Sequence, residues 1–189
     1  MIKICILGDI GSGKSYVAQN FGYPVFNADH EVAKLYQQDK NTFNKLNKSL
    51  PKYIYSFPIK KIEISNAILA NKNNLNKIVK IVHAEIRKKM NIFLKKYKNK
   101  KFVVLDIPLL LENKINKKKD ILVFVQSKQS DILKRLKKRK NFNQKLLKKF
   151  KAIQYSIAYK KKKSNFIIKN NFTKKSVIND IKNILNKIS

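Results

Sequence analysis

Apolar residues in this chain fall into a few short unbroken runs, separated by stretches where they recur every three or four positions. Ile2, Cys5, Ile6 and Leu7 form the first run, and Val25 and Phe26 a second, brief one. Phe102-Val103-Val104-Leu105-Asp106 is the clearest, followed by Ile121 to Val125 and Asn165 to Ile168. Such runs suit strands of a parallel sheet covered on both faces. Between them the period is helical: Tyr16 to Phe21, a stretch from about Glu31, Ser130 to Lys138, and an amphipathic Val177 to Ile188. The region from Glu31 to Tyr97 is mostly helical in pattern, with Ile68, Leu75, Ile78, Val79, Val82 and Ile86 at three- and four-residue spacing. Pro51 and Pro58 punctuate an irregular stretch before them. Strands alternating with helices predict an α/β fold with a five-stranded, mainly parallel sheet flanked by helices. The helical insertion at about 31–98 reads as a substrate-binding cap. Pro108 cannot continue a central strand, so the chain is expected to leave the sheet there.

Eight residues add chemistry to this frame. Gly8 to Ser15 reads Gly-Asp-Ile-Gly-Ser-Gly-Lys-Ser, the phosphate-loop pattern of Gly, four residues, Gly-Lys-Ser/Thr. It lies between a strand and a helix start, as that pattern requires. Glycines let the backbone curl so that successive N–H groups point inward and cradle phosphate oxygens. The helix start adds free N–H groups and the positive end of its dipole. Lys14 would reach the terminal phosphates, and the Ser15 hydroxyl would complete the shell of a bound Mg²⁺. Gly11, Ser12 and Gly13 would line the nucleotide phosphates. The bland reading is a Gly/Ser-rich turn with a chance lysine.

Composition narrows the classes. The chain has 189 residues and one cysteine, Cys5, which excludes an intrachain disulfide and suits a reducing cytoplasm. Its place in the first strand makes it a core residue rather than a reactive one. The N-terminal apolar run stops at Gly8-Asp9, unlike a signal peptide, and nothing approaches the roughly 20 apolar residues of a membrane helix. The formal net charge is +33. Its lysines are spread along nearly the whole chain with abundant asparagine and isoleucine, the mixture an AT-biased coding sequence produces. They lack the interleaved aromatics of a dedicated nucleic-acid binder. Weak, salt-sensitive adherence to polyanions is expected, without a specific nucleic-acid partner.

Against that background the eleven Asp and Glu residues stand out. Asp29 follows the second strand, where a carboxylate faces the crevice in which α/β sheets bind ligands and could take a proton from an attacking hydroxyl. It could equally cap a helix. Asp106 ends the third strand, the usual place for the acid that holds Mg²⁺ directly or through water. Glu112 follows on a turn at the same crevice. His83 lies on a helix, either structural or functional, with no second ligand at zinc spacing. Arg135 and Arg139 occur where lysine is otherwise the default cation. Four residues apart on a helix, they would share a face and suit bidentate contact with phosphate; a solvated basic face is the alternative.

Together these motifs resemble the dephospho-coenzyme A kinase family, from Ile2 to about Asn171. The family's opening Gly-Gly-Ile-Gly-Ser-Gly-Lys-Ser/Thr is matched by Gly8 to Ser15, except at Asp9. Its Asp-Ala-Asp motif is matched by Asn27-Ala28-Asp29, its His-Pro by His83-Ala84, and its Pro-Leu-Leu-X-Glu by Pro108 to Glu112. Its arginine-bearing lid helix corresponds to Arg135 and Arg139, and its later glutamine, basic residue and strand-ending asparagine to Gln154, Lys160 and Asn170. The resemblance implies one P-loop kinase domain over 1–189, with the cap at about 31–98 and a lid at about 135–150. It implies ATP as co-substrate with Mg²⁺ on Ser15 and Asp106, Asp29 as base, and Lys14, Arg135 and Arg139 on the transferred phosphoryl group. Tyr16 and Asn170 would join Gly11 to Ser15 around ATP, and His83, Pro108, Leu109, Glu112 and Lys160 would hold dephospho-coenzyme A.

Four departures bear on this. Asp9 adds a negative charge beside the phosphates, tolerable if the carboxylate points outward. Tyr16 replaces a small residue, Asn27 leaves Asp29 as the sole carboxylate of its motif, and Ala84 loosens the helix around His83. Two rival readings are another small-molecule kinase on the same scaffold and a basic NTP-dependent nucleic-acid-binding protein. The expected partners are the small-molecule substrates alone, with no membrane, in a cytoplasmic monomer or weak homo-oligomer.

Overall fold

The computed structural model describes residues 1–140 and 142–188. Strands β1 (Ile2–Gly8), β2 (Val25–Asn27), β3 (Phe102–Asp106), β4 (Ile121–Gln126) and β5 (Phe166–Lys169) form one sheet in the order β2-β3-β1-β4-β5. Every pairing is parallel, so the sheet is wholly rather than mainly so. The central strands carry the unbroken apolar runs: β3 is buried at all five positions, whereas the edge strand β5 buries Ile168 and exposes Ile167. Parallel strands bring all their C-terminal ends to one edge. There the register pairs Ile6 and Asn27 with Asp106, and Gly8 with Val125.

The chain divides into two compact units. The first comprises Met1–Asn27, Tyr97–Phe142 and Lys151–Ser189, and holds the whole sheet. Its helices are α1 (Lys14–Asn20), α6 (Gln129–Lys137), α8 (Ile157–Lys163) and α9 (Lys174–Ile188). One face of the sheet contributes Ile4, Ile6, Val104, Val123 and Ile168 to a core closed by Val17 and Ala18 of α1 and by Val177, Ile181 and Ile184 of α9. The spacing of the α9 residues is the amphipathic stripe legible in the sequence. That helix begins at Lys174, earlier than Val177, because Asn171 Oδ1 accepts from the Thr173 N–H and from the Thr173 and Ser176 hydroxyls. At the sheet edge away from the strand C-termini, buried Lys3 and Asp120 pair at 2.8 Å. Burial, reinforced by Asp120 and opposed by Lys3, pushes the Cys5 thiol up to about 12. The thiolate is suppressed, as the core reading of Cys5 requires.

The second unit comprises Ala28–Lys96 and Asn143–Phe150. It contains α2 (Ala28–Gln38), α3 (Lys40–Ser49), α4 (Lys61–Ala70) and α5 (Lys72–Lys96), and most of α7 (Gln144–Ala152). The periodic residues Ile68, Leu75, Ile78, Val82 and Ile86 are buried. Buried Glu63 organises the irregular stretch before α4, accepting from the Ser56 hydroxyl and from the backbone N–H groups of Tyr55 and Ser56. Burial raises its pKa, but those donors and Lys60 outweigh that and hold the carboxyl below its ordinary value.

On α5, Glu85 meets Lys45 of α3 at 2.7 Å and Lys88 at 3.2 Å. The Lys45 hydrogen bond, opposed by burial and helped by Lys88, holds the Glu85 carboxyl below its ordinary value. A depressed folded-state pKa contributes stability above the unfolded value that is lost as pH falls through the folded one. Both lysines are substantially solvated, so the contribution is discounted. Glu85→Gln is therefore expected to lower the unfolding free energy by about 1 kcal/mol at neutral pH. In urea titrations this deficit should disappear as pH falls from 4.5 through the depressed value.

Candidate active site

The phosphate loop is held open by backbone geometry that its glycines allow. Gly13 adopts φ +89°, and a Cβ there would lie 2.3 Å from the Asn170 amide nitrogen. That conformation brings the chain directly into α1, where the Val17 N–H donates to the Gly13 carbonyl. The helix thus starts at Lys14, earlier than Tyr16, and its free N–H groups belong to the loop. The Ser12 carbonyl, turned outward by the curl, accepts from Ser127 Oγ at 3.0 Å and Asn170 Nδ2 at 2.8 Å. Asn170 is buried, and its oxygen accepts from the Phe172 N–H at 2.9 Å. It acts on the loop as a brace. Ser12 Oγ is buried against Gly8 without a hydrogen-bond partner among the described residues.

Lys14 Nζ donates to the carbonyl oxygens of Asp9 at 2.8 Å and Gly8 at 3.4 Å. Ser15 Oγ donates to Asp106 Oδ2 at 2.5 Å, and Asn27 Nδ2 donates to the same oxygen at 2.6 Å. The ends of β2 and β3 and the start of α1 thus converge on one carboxylate. Burial lifts the Asp106 carboxyl above its ordinary value, while the Ser15 hydroxyl, the Lys14 charge and the Asn27 amide pull it back. A hydroxyl beside a carboxylate is a hard oxygen pair that fits Mg²⁺, which takes its remaining ligands from water and phosphate. No group of three or more His, Cys, Asp or Glu residues suited to a metal occurs among the described residues.

Pro108 to Glu112 fold into turns directly after β3, with Asn113 N–H and Nδ2 both on the Leu109 carbonyl. Glu112 Oε1 accepts from the Tyr155 N–H at 2.7 Å and pairs with Lys160 at 3.0 Å. Lys160, only 2% exposed, also donates to Gln154. Gln154, Tyr155 and Lys160 border a cavity of about 160 Å³ that reaches Gly8, Asp9 and Lys151. The Lys160 ammonium is committed to Glu112 and Gln154.

The structure decides three points, two that the sequence left open and one that it misplaced. Asp29 is not a helix cap: α2 starts at Ala28 and places it, exposed, in the first turn, where its charge suits the dipole. Arg135 and Arg139 do not share a helix face, because α6 ends at Lys137 and Lys138 caps it. Arg135 instead lies 4.2 Å over the Phe172 ring, while exposed Arg139 follows the cap. Asp9 does not point outward; it is buried, taking the Ile10 N–H and Lys151 on its carboxylate. His83 is half-buried on α5 of the second unit, and Tyr16 is exposed on α1. Ser127, Phe172 and Lys151 were not anticipated. Ser127 could have been suspected from its place just after the fourth strand, whereas Lys151 is invisible among so many lysines.

A glycine-curled loop entering a helix, its serine on a strand-end carboxylate, and a parallel 2-3-1-4-5 sheet define a P-loop kinase. A family model described as dephospho-CoA kinase (CoaE) matches residues 2–176. The dephospho-CoA kinase of Wolbachia pipientis is 34% identical, covering 98% of this chain and 97% of its own. The chain belongs to the dephospho-CoA kinase family. Its fold is shared with a Thermus thermophilus crystal structure at TM-score 0.77 and 22% identity, covering 100% of this chain and 98% of that one. The dephospho-CoA kinase from Campylobacter jejuni follows at TM-score 0.63 and 23% identity, covering 99% and 96%.

Gly13→Ala is expected to cost about 1–2 kcal/mol from its backbone conformation and to push Asn170 off the Ser12 carbonyl, abolishing ATP binding. Gly22 has φ +75° with nothing within 4 Å of a Cβ. Gly22→Ala should therefore carry the backbone cost alone. Thermal melts beside calorimetric ATP titrations check the contrast.

Proposed function

We propose that the chain transfers the γ-phosphoryl group of ATP to the 3′-hydroxyl of the dephospho-coenzyme A ribose, the last step of coenzyme A biosynthesis. The observation that carries this reading is the Ser15–Asp106–Asn27 cluster at the mouth of the phosphate loop in a chain of this family.

In this reading the ATP phosphates lie along the N–H groups of Gly11 to Ser15, and Lys14 exchanges the Asp9 carbonyl for phosphate oxygens. Ser15 and Asp106 would hold Mg²⁺, which when bound would neutralise charge on the phosphates. Arg135 on Phe172 presents a flat cationic surface beside Gly13, suited to the nucleotide base, with exposed Tyr16 on α1 as a further contact and Asn170 acting through its brace on the Ser12 carbonyl. Asp29, directly after β2, takes the proton of the attacking 3′-hydroxyl. Arg139 and Lys14 neutralise charge that spreads over the transferred group. The acceptor is held by Pro108, Leu109 and Glu112, with Lys160 setting the Glu112 carboxylate, and by the proposed cap (31–98) with His83. A lid at about 135–150, in which position 141 lies outside the described residues, excludes water, which would otherwise accept the phosphoryl group. The chain works as a cytoplasmic enzyme. No helix among the described residues is long and apolar enough to cross a membrane.

Asp29 supplies the sharpest test. A positioned general base is worth roughly 10²–10⁴-fold, whereas a carboxylate that only complements a helix dipole affects stability by under about 1 kcal/mol. Asp29→Asn should therefore stay folded and bind ATP normally while its single-turnover rate with dephospho-coenzyme A falls at least about 100-fold. A folded variant keeping more than about a tenth of the parental rate would remove Asp29 from the base role.

A further inference from the structure

We infer that Lys151 is a nucleotide-positioning residue of this chain, holding neutral an acidic phosphate loop that would otherwise repel ATP. The inference rests on the loop binding ATP, as proposed above. Asp9 occupies the second position of the loop, where the family it resembles uses glycine. Its carboxylate is 8% exposed, and neither oxygen is idle. Oδ1 accepts the Ile10 N–H at 2.7 Å, and Oδ2 accepts from Lys151 Nζ at 3.0 Å.

A buried carboxylate is tolerable when its charge is matched and hydrogen-bonded, and strongly unfavourable when the partner is removed. Here the neighbouring ligand would be a triphosphate. An uncompensated negative charge a few ångströms from it, in surroundings less polar than water, is screened poorly by salt. The other lysines at the loop are engaged elsewhere. Lys14 is placed on the backbone carbonyls of Gly8 and Asp9, and Lys160 on Glu112 and Gln154. Among the described residues the cation paired with Asp9 is Lys151. It stands in the last turn of α7 and borders the same cavity as Gly8 and Asp9. Because Asp9 and Lys151 have no role in the chemistry proposed above, the effect of the pair falls on nucleotide affinity and not on the chemical step. Asp9 and Lys151 are therefore a compensated pair: the acid is permitted by the lysine and contributes little alone.

The test measures calorimetric ATP–Mg²⁺ affinity and steady-state transfer to dephospho-coenzyme A for the parent, Lys151→Met, Asp9→Asn and the double variant. Lys151→Met should weaken ATP binding and raise KM for ATP by about ten-fold or more, with kcat changed far less. Asp9→Asn should bind ATP about as well as the parent. The double variant should recover affinity to within about three-fold of it, since no charge is left to match. A merely structural lysine would lower the melting temperature without this rescue of affinity. Parental ATP binding in Lys151→Met, or a loss that Asp9→Asn does not relieve, would overturn the inference. Should Lys151→Met fail to fold, the double variant still decides: parental affinity supports the pair, and weak binding refutes it. A parent that binds ATP but leaves dephospho-coenzyme A untouched would defeat the functional reading, while the ATP comparison would still decide the role of Lys151.

Discussion

A loop curled tightly enough to aim its N–H groups inward must turn carbonyls outward, and buried carbonyls need donors. At Ser12 those donors are Ser127, just past β4, and Asn170, just past β5. The phosphate loop is consequently fastened to two strands besides the one that leads into it, and its shape depends on the sheet being parallel and in register. The left-handed turn at Gly13 then delivers the chain into α1 with Lys14 and Ser15 as its first residues. Ser15 in turn reaches Asp106 on β3, and Asn27 at the end of β2 joins it. One curled loop thus gathers the C-terminal ends of all five strands.

Electrostatics sharpens this picture, because the chain carries 44 basic residues against 11 acids. Several of these acids are buried or nearly so and matched individually. Asp106 serves the loop serine, Glu112 answers Lys160, Asp9 answers Lys151, Asp120 answers Lys3, and Glu63 collects three donors. A buried carboxylate without such partners would be severely unfavourable, so their positions are dictated by local chemistry. Lysine faces no comparable restriction on the surface. The same excess of cations conceals which lysines matter.

Much of the fold was legible because strong local patterns carried it. The apolar runs at Phe102–Asp106 and Ile121–Val125 could form only buried strands, and the α9 stripe could only cover a sheet. Element ends were harder to read. The start of α2 at Ala28 depends on a three-residue strand running straight into a helix, and the end of α6 before Arg139 leaves no mark in a lysine-rich stretch. In the site, Gly8 to Ser15 and Asp106 were readable from motif and strand position. Ser127 and Phe172 were not, since their roles arise from contacts between residues far apart in sequence. The Asp9–Lys151 pair spans 142 positions and joins a residue whose orientation the sequence left open to one lysine among dozens.

The central claim is that this braced loop serves phosphoryl transfer to one particular alcohol. A competition assay addresses it directly: the enzyme with ATP–Mg²⁺ and an equimolar mixture of dephospho-coenzyme A, adenosine, AMP, uridine and shikimate, with products resolved by mass spectrometry. The account predicts coenzyme A as the dominant product, its new phosphate on the ribose 3′-oxygen. Preferential phosphorylation of another acceptor, or ATP hydrolysis with no acceptor modified, would contradict it.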